Sequence, residues 1–387
     1  MTPAEIQGNE ELRRHEFPVV AKRIFLGHAA VCPLPRRVAE AVSQLAFTGM
    51  SDDQEAGIPG GWIAGTRGLI AKSLGVDAGE IALVGSTSMG LSQVAAGLPW
   101  RKGQNVVVYQ DDYPSNVYPW MALAERGVEV RFLNIRELGR IRAIDVQGQV
   151  DEDTRLVALS SAHFVTGWRL EVEVLGQWLR SRGILFCLDA IQTLGAFQTP
   201  LDQVDFMAAD GHKWLLGPLG AGILYVRKEV QEVLRPIAHG WHNVECPGFV
   251  TQDSMVLRRD ARRYEAGSLN LVGVAGLRAA FALLEEVGLG AIEADLLAKR
   301  RGLVSRLQES GMEVLNPSPT EPNEGGVVSF CVPGESASDL HRKLQDAAIV
   351  VSLRTTRDGR EWIRASPHYY NTTAELERFL EVLMARA

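Results

Sequence analysis

The 387 residues predict an α/β protein: a large domain built on a mostly parallel sheet, followed by a smaller α/β domain at the C-terminus. Three observations carry this. From about Ile81 to Tyr225, apolar strand-like runs alternate with helix-period segments, the pattern of a sheet with helices on both faces. Hydrophobic residues make up 46% of the chain and charged ones 22%, so a chain this long buries one large core and has room for a second. Beyond Val287 come shorter strand runs, at Met312–Leu315, Gly326–Val332, Ile349–Leu353 and Glu361–Ala365, with helix patterns over Ala337–Ala348 and Thr373–Ala387. The expected division is an N-terminal arm over 1–40, a large domain over 41–285 and a small domain over 286–387 that packs with the arm.

The arm is polar and mixed in charge up to Ile24, without the apolar centre of a signal peptide. A helix pattern through Val38, Val42 and Leu45 follows Pro33 and Pro35. Glu80–Gly85 is a short strand. The small hydroxyl residues Ser86, Thr87 and Ser88 come next, ahead of a helix-like run from Leu91 to Leu98; such residues cap free backbone amides, and the same helix end attracts anions. Asn105–Tyr109 is a buried strand leading to Tyr113, with a helix pattern over Val117–Arg126. Two further strands, Val128–Ile135 and Arg155–Ser160, precede the segment containing Phe164. Val174, Leu175, Trp178 and Leu179 form the apolar face of a helix that returns to the run Ile184–Asp189. Long helix patterns over Val272–Val287 and Ala291–Gly311 lead to the small domain, and Pro317–Glu324 reads as a polar loop.

Composition also excludes. With 40 basic and 47 acidic residues the net charge is −7 and no basic run occurs, which argues against nucleic acid or an anionic membrane as partner. No window of about 18 apolar residues offers a bilayer span. Cys32, Cys187, Cys246 and Cys331 show no paired spacing, so thiols in a reducing cytoplasm are expected rather than disulfides or a metal site. Neither a dinucleotide fingerprint nor a P-loop pattern stands at a strand-to-helix turn.

The chemistry concentrates between Ile184 and Tyr225. A buried strand run ends on Asp189, and Lys213 follows 24 positions later in Asp-Gly-His-Lys-Trp, ahead of a glycine-rich loop. At the carboxyl ends of the strands of an open sheet, both groups face the crevice where ligands bind. A lysine to condense with an aldehyde, plus a carboxylate to keep a pyridine nitrogen protonated, is what pyridoxal 5′-phosphate (PLP) chemistry requires.

Asp189-Ala190-Ile191-Gln192, Asp210-Gly211-His212-Lys213-Trp214 and Gly217-Pro218-Leu219-Gly220 resemble the core of the class V aminotransferase superfamily of PLP enzymes, in its cysteine desulfurase, selenocysteine lyase and isopenicillin N epimerase-like branch. The resemblance implies PLP fold-type I, with a seven-stranded-type sheet in the large domain. It implies that Thr87 and Ser88 hold the cofactor phosphate with His212, and that Tyr113 stacks on the pyridine face. Phe164 stands where several relatives have an asparagine bonded to the cofactor's phenolic oxygen, which leaves Gln192 as the partner for that atom. Asp210 takes the place of a phosphate-binding serine, so that corner departs from the pattern.

The segment Arg262–Asn270 resembles one that reaches a neighbouring subunit's site, so Ser268 would act across a homodimer interface with shared active sites. Arg364, in Arg-Ala-Ser-Pro-His-Tyr-Tyr-Asn, resembles the arginine that grips a substrate α-carboxylate. His28 and Trp241 match positions lining the substrate pocket, and Trp241, His242, Arg354 and His368 are candidates for reading the side chain. Persulfide-forming desulfurases need a cysteine just before that arginine, and Ser352–Arg364 contains none. The expectation is a C–S or C–Se β-lyase without a persulfide cysteine; the alternatives are an aminotransferase or an amino-acid epimerase.

Overall fold

The computed structural model describes residues 1–318 and 322–385. Residues 319–321 of the expected polar loop and the last two of the expected C-terminal helix lie outside them.

The large sheet has seven strands among the described residues: β1 (Ile81–Val84), β2 (Asn105–Val108), β3 (Glu129–Phe132), β4 (Thr154–Ser160), β5 (Leu185–Asp189), β6 (Phe206–Asp210) and β7 (Gly222–Val226), in the order β1-β7-β6-β5-β4-β2-β3. From β6 through β3 every pairing is parallel; only β7 runs antiparallel, to both β6 and β1. β5, β6 and β7 are buried at every residue, which is why their sequences read as continuous apolar runs rather than alternating ones. Each large side chain so buried contributes about 1.5–3 kcal/mol of transfer free energy. β6 is the strand the sequence reading did not isolate, and it carries the chain directly into the Lys213 loop.

Helices cover both faces, as Thr87–Gly97 does by packing on β6 with Leu91, Val94 and Ala95 buried. The expected helix over Val117–Arg126 is one α turn at Tyr118–Met121 that tightens into a 3₁₀ turn at Ala122–Arg126, closed by Gly127 in the left-handed region (φ +75°).

The small sheet comprises β8 (Glu313–Val314), β9 (Val328–Cys331), β10 (Ser352–Thr355) and β11 (Glu361–Ala365), all antiparallel in the order β10-β11-β9-β8. The expected single strand Ile349–Leu353 divides at Val351, because Ile349–Val350 pairs with Ile24–Phe25 of the arm while Ser352–Thr355 turns to β11. Gly27 bridges Ser366, so the arm is tied to the small sheet just before it reaches the crevice. The helix Leu289–Glu309 serves both cores: Ile292 and Leu296 face the large one, Leu303 and Leu307 the small one.

Candidate active site

The carboxyl ends of β5 and β6 lie side by side, with Asp189 opposite Ala208 in register and Ser160 at the end of β4 opposite Asp189. Lys213 emerges from a tight loop after β6, in which Gly217 N donates to Gly211 O at 2.7 Å and Leu216 N to Lys213 O at 3.1 Å. The turn after β5 is pressed onto this loop. Gly195 has φ +88°, and a Cβ there would stand 2.5 Å from Leu215 Cα, so only glycine lets the Asp189 and Lys213 segments approach this closely.

Around them is a cavity of about 290 Å³, walled by residues that follow β1, β2 and β4, by the ends of β5 and β6, and by residues of the arm and the small sheet. Asp189, Gln192, His212, Lys213, Thr87, Ser88, Tyr113 and Arg364 all line it. Lys213 is buried and its Nζ sits 5.1 Å from the centre of the Tyr113 ring. Burial lowers its amine to about 8, with Arg364 and Arg354 pushing the same way and Asp189 opposing. Burial likewise raises Asp189 to about 7, helped by the charge of Asp112. Asp189 Oδ1 accepts from Ile191 N at 3.0 Å, while Oδ2 has no partner.

That orphan is one of a set. Thr87 Oγ1, Asp189 Oδ2, His212 Nδ1 and Arg364 Nε are buried polar atoms without hydrogen-bond partners, and their residues all line this cavity. His212 Nδ1 is 3.2 Å from Asp210 Oδ1, near enough for charge attraction but misaligned for a hydrogen bond; that oxygen accepts from Gly211 N at 2.8 Å. Unpaired buried polar groups cost about 1–3 kcal/mol each, so their convergence on one hollow marks a place built for a polar ligand. A larger hollow of about 730 Å³ opens on the other side of the Ala190–Leu194 turn. Of its hydroxyls, Ser161, Thr193 and Thr199 bond one another and Ser73 donates to Leu69 O, and none of its lining residues carries an orphaned atom among the described residues. Chemistry, not size, singles out the smaller one.

Other side chains are positioned more than exposed. Gln192 is pinned by Trp214 Nε1, which donates to its Oε1 at 3.0 Å, and its Nε2 donates to Ala29 O at 3.1 Å, which leaves one free N–H. Ser86 caps the helix by accepting from Met89 N, and Ser88 Oγ lies 2.8 Å from Ser115 Oγ. Arg364 Nη1 donates to Phe164 O at 2.6 Å, and Nη2 reaches Ser352 Oγ at 3.4 Å. No carboxylate pairs with Arg364 among the described residues, and burial pushes its guanidinium well below the usual arginine range.

Three expected residues are not brought here. His28 is sealed: its Nδ1 contacts Ser366 O at 2.9 Å and its Nε2 contacts Tyr370 Oη at 2.7 Å, and the following residues Ala29–Val31 form the wall instead. Trp241 is 43% exposed on a loop against His242 and Phe249, away from the cavity of its own chain. Ser268 lines a neighbouring hollow with Gly85 and Met89; Glu265 ties its segment there by accepting from Arg67 Nη2 and Leu83 N, both at 2.7 Å. His368 is also enclosed, 2.8 Å from Trp214 O, and of the four specificity candidates only Arg354 reaches the wall. Sequence reading overlooked Asp112, a buried carboxylate that accepts from Tyr113 N at 2.7 Å and from Ser160 Oγ at 2.8 and 2.7 Å, fixing the tyrosine's loop to β4. The available signal was its place at a strand-to-turn junction beside Asn116.

The profile of the family described as Aminotransferase class-V matches residues 24–379. The chain belongs to that family of PLP-dependent enzymes, and its fold is PLP fold-type I. It is 29% identical to the probable cysteine desulfurase of Methanothermobacter thermautotrophicus, with 97% of each chain covered. It is 32% identical to that of Pyrococcus abyssi, over 82% of this chain and 81% of the other. Among solved structures, the apo cysteine desulfurase from Thermococcus onnurineus NA1 matches with a TM-score of 0.86 at 28% identity, covering 97% of both chains. The residues present fit the family's cofactor: an amine of lowered pKa, an unpaired carboxylate oxygen for a ring N–H, and hydroxyl and imidazole groups for a phosphate share one hollow.

Proposed function

We propose that this chain is a PLP-dependent C–S lyase acting on an amino acid with a free α-carboxylate, working without a cysteine persulfide. The observation that carries the reading is the meeting of Lys213, four orphaned polar atoms and an arginine without a carboxylate partner at one cavity. When bound, the cofactor supplies an electron-accepting ring for the bond broken at the substrate Cα.

The protein's own part follows from the site. Lys213 would hold the cofactor and would move a proton at the substrate Cα; an amine near 8 is partly unprotonated at neutral pH, as a base requires. Asp189, with its unpaired Oδ2, would hold the ring nitrogen, and Thr87, Ser88 and His212 would hold the phosphate. Tyr113 would pack against the ring, such stacking contributing on the order of 1 kcal/mol. The remaining N–H of Gln192 would serve the phenolic oxygen. Arg364 fixes the α-carboxylate, so Cα–H rather than the carboxylate is offered to Lys213. Asp210 turns toward Gly211 N and His212, which supports a role in orienting the imidazole.

The lyase reading is supported by the relatives named cysteine desulfurase. The absence of a persulfide step is supported by the four cysteines, none of which lines the cavity; Cys331 sits on the small sheet facing Glu313 and Arg360. The same reading includes a homodimer with Ser268 and Trp241 serving the neighbouring site. Exposed apolar side chains at Met89, Leu219, Trp241, Phe249 and Met255 support it. It also includes the division at about residues 40 and 285, and a cytoplasmic location, in keeping with four free thiols. No helix among the described residues is long and apolar enough to cross a membrane.

Holoenzyme incubated with a panel of amino acids tests the reaction. Pyruvate, ammonia and a thiol are expected from a cysteine derivative, the thiol being sulfide where the substrate is cysteine itself. A pyridoxamine-form spectrum, or Cα deuterium exchange with loss of chirality and no pyruvate, would replace the lyase with a transaminase or an epimerase.

A further inference from the structure

β10 and β11 present one face to the cavity. Ser352 is opposite Arg364 and Arg354 opposite Trp362, so Arg354 and Arg364 stand diagonally on the same side of the antiparallel pair. Such diagonal neighbours have Cα atoms about 7–8 Å apart, within reach of two long side chains. Both line the cavity, and the charge of Arg354 is felt at Arg364 and at Lys213.

The hairpin formed by these strands carries three arginines before Arg364, and it treats them differently. Arg357 is neutralised by Asp111, and its Nη2 also donates to Gln110 O at 2.9 Å. Arg360 is paired with Glu313 at 2.7 Å. Arg354 is half-buried, and its one side-chain hydrogen bond among the described residues, from Nη1 to Leu353 O at 3.0 Å, is to its own neighbour's backbone. Among the described residues it has no carboxylate partner. The carboxylates on the cavity wall, Asp189 and Asp210, belong to the sheet side: Asp189 feels the charge of Lys213, and Asp210 lies 3.2 Å from His212 Nδ1. Two like charges on one desolvated wall repel each other and lose hydration, a cost offset only when anions arrive. Arg364 accounts for one anion; Arg354 calls for a second.

We infer that Arg354 recognises an anionic group at the end of the substrate's side chain, so that the preferred substrates are cysteine derivatives whose sulfur substituent bears a carboxylate. This rests on the reading of Arg364 as the α-carboxylate ligand. Arg354 is a specificity-determining residue: it selects the substituent and leaves the handling of Cα to Lys213.

The test uses PLP-loaded protein and two ligands of equal size, S-carboxymethyl-L-cysteine and its neutral amide S-carbamoylmethyl-L-cysteine. Binding is measured by calorimetry and by the change in visible absorbance. A charge-assisted hydrogen bond gives the carboxylate an expected advantage of about tenfold or more in Kd. Arg354→Gln removes that advantage without changing the affinity for the amide, and Arg354→Lys, which keeps the charge, retains part of it. Equal affinity of the wild-type protein for the two ligands overturns the inference. So does an equal loss for both in Arg354→Gln, which would mean that Arg354 serves the α-carboxylate. A protein that binds no PLP fails the functional reading itself. One that binds PLP and loses both ligands in Arg364→Ala, yet does not discriminate between them, fails only this inference.

Discussion

Two clusters of buried titratable groups lie within a few residues of each other in this fold, and they differ in one respect. In the first, His28, His368 and Tyr370 are enclosed with Trp214 and Phe17, and their polar atoms are paired: His28 with Ser366 O and Tyr370 Oη, His368 with Trp214 O and Tyr369 N. In the second, Thr87, Asp189, His212 and Arg364 each keep an atom without a partner, around Lys213. Both clusters shift pKa values by burial, His28 down to about 3 and Lys213 to about 8. A shifted pKa alone therefore does not mark function here. Saturation separates the two: the first cluster spends its hydrogen bonds on tying the arm to the segment after β11 and that segment to the Trp214 loop, and the second leaves them for a ligand.

Substitutions should split along that line. Lys213→Ala is expected to have the largest effect, a loss of activity of at least roughly 10²–10⁴-fold, the range for general acid–base catalysis alone, with loss of the visible band and an unchanged melting temperature. Arg364→Ala comes next. Losing a charge-assisted pair should raise KM about 10- to 150-fold, with PLP affinity kept. A matching fall in thermal stability would instead put Arg364 with the structural cluster.

His28→Ala should do the reverse. It strands Tyr370 Oη, while Ser366 O keeps the backbone N–H of residue 28; it costs about 1–3 kcal/mol in denaturant unfolding and leaves KM unchanged.

The remaining effects are those of pH. Burial lowers Lys213 from an ordinary 10.5 to about 8, so the folded state gives up a proton that the unfolded chain keeps, and apoprotein stability rises with pH between those values. Asp189, raised from 3.8 to about 7, has the opposite sign: its contribution is full below 3.8 and is lost as pH rises through 7. In apoprotein, an amine-directed reagent should reach half its maximal rate at Lys213 near pH 8; half-reaction near 10.5 would show a solvated lysine.

Much of this was legible from residue order. Buried parallel strands write themselves as apolar runs, which gave the sheet, and Asp189 follows from where such a run stops. Lys213 and Arg364 came through their flanking residues. What failed did so for identifiable reasons. β6 was hidden because Phe-Met-Ala-Ala-Asp is short and lies against the glycine-rich loop. His28 was misplaced because sequence gives the segment that crosses the crevice but not which residue turns inward; Ala29–Val31 do. Asp112 depends on a buried hydrogen-bond set, which has no local signature.

The most direct measurement is to load the protein with PLP, reduce it with borohydride and map the modified peptides by mass spectrometry. A phosphopyridoxyl group on Lys213 alone, missing in Lys213→Ala, is the expected result. Modification spread over surface lysines, or none at all, would contradict the account.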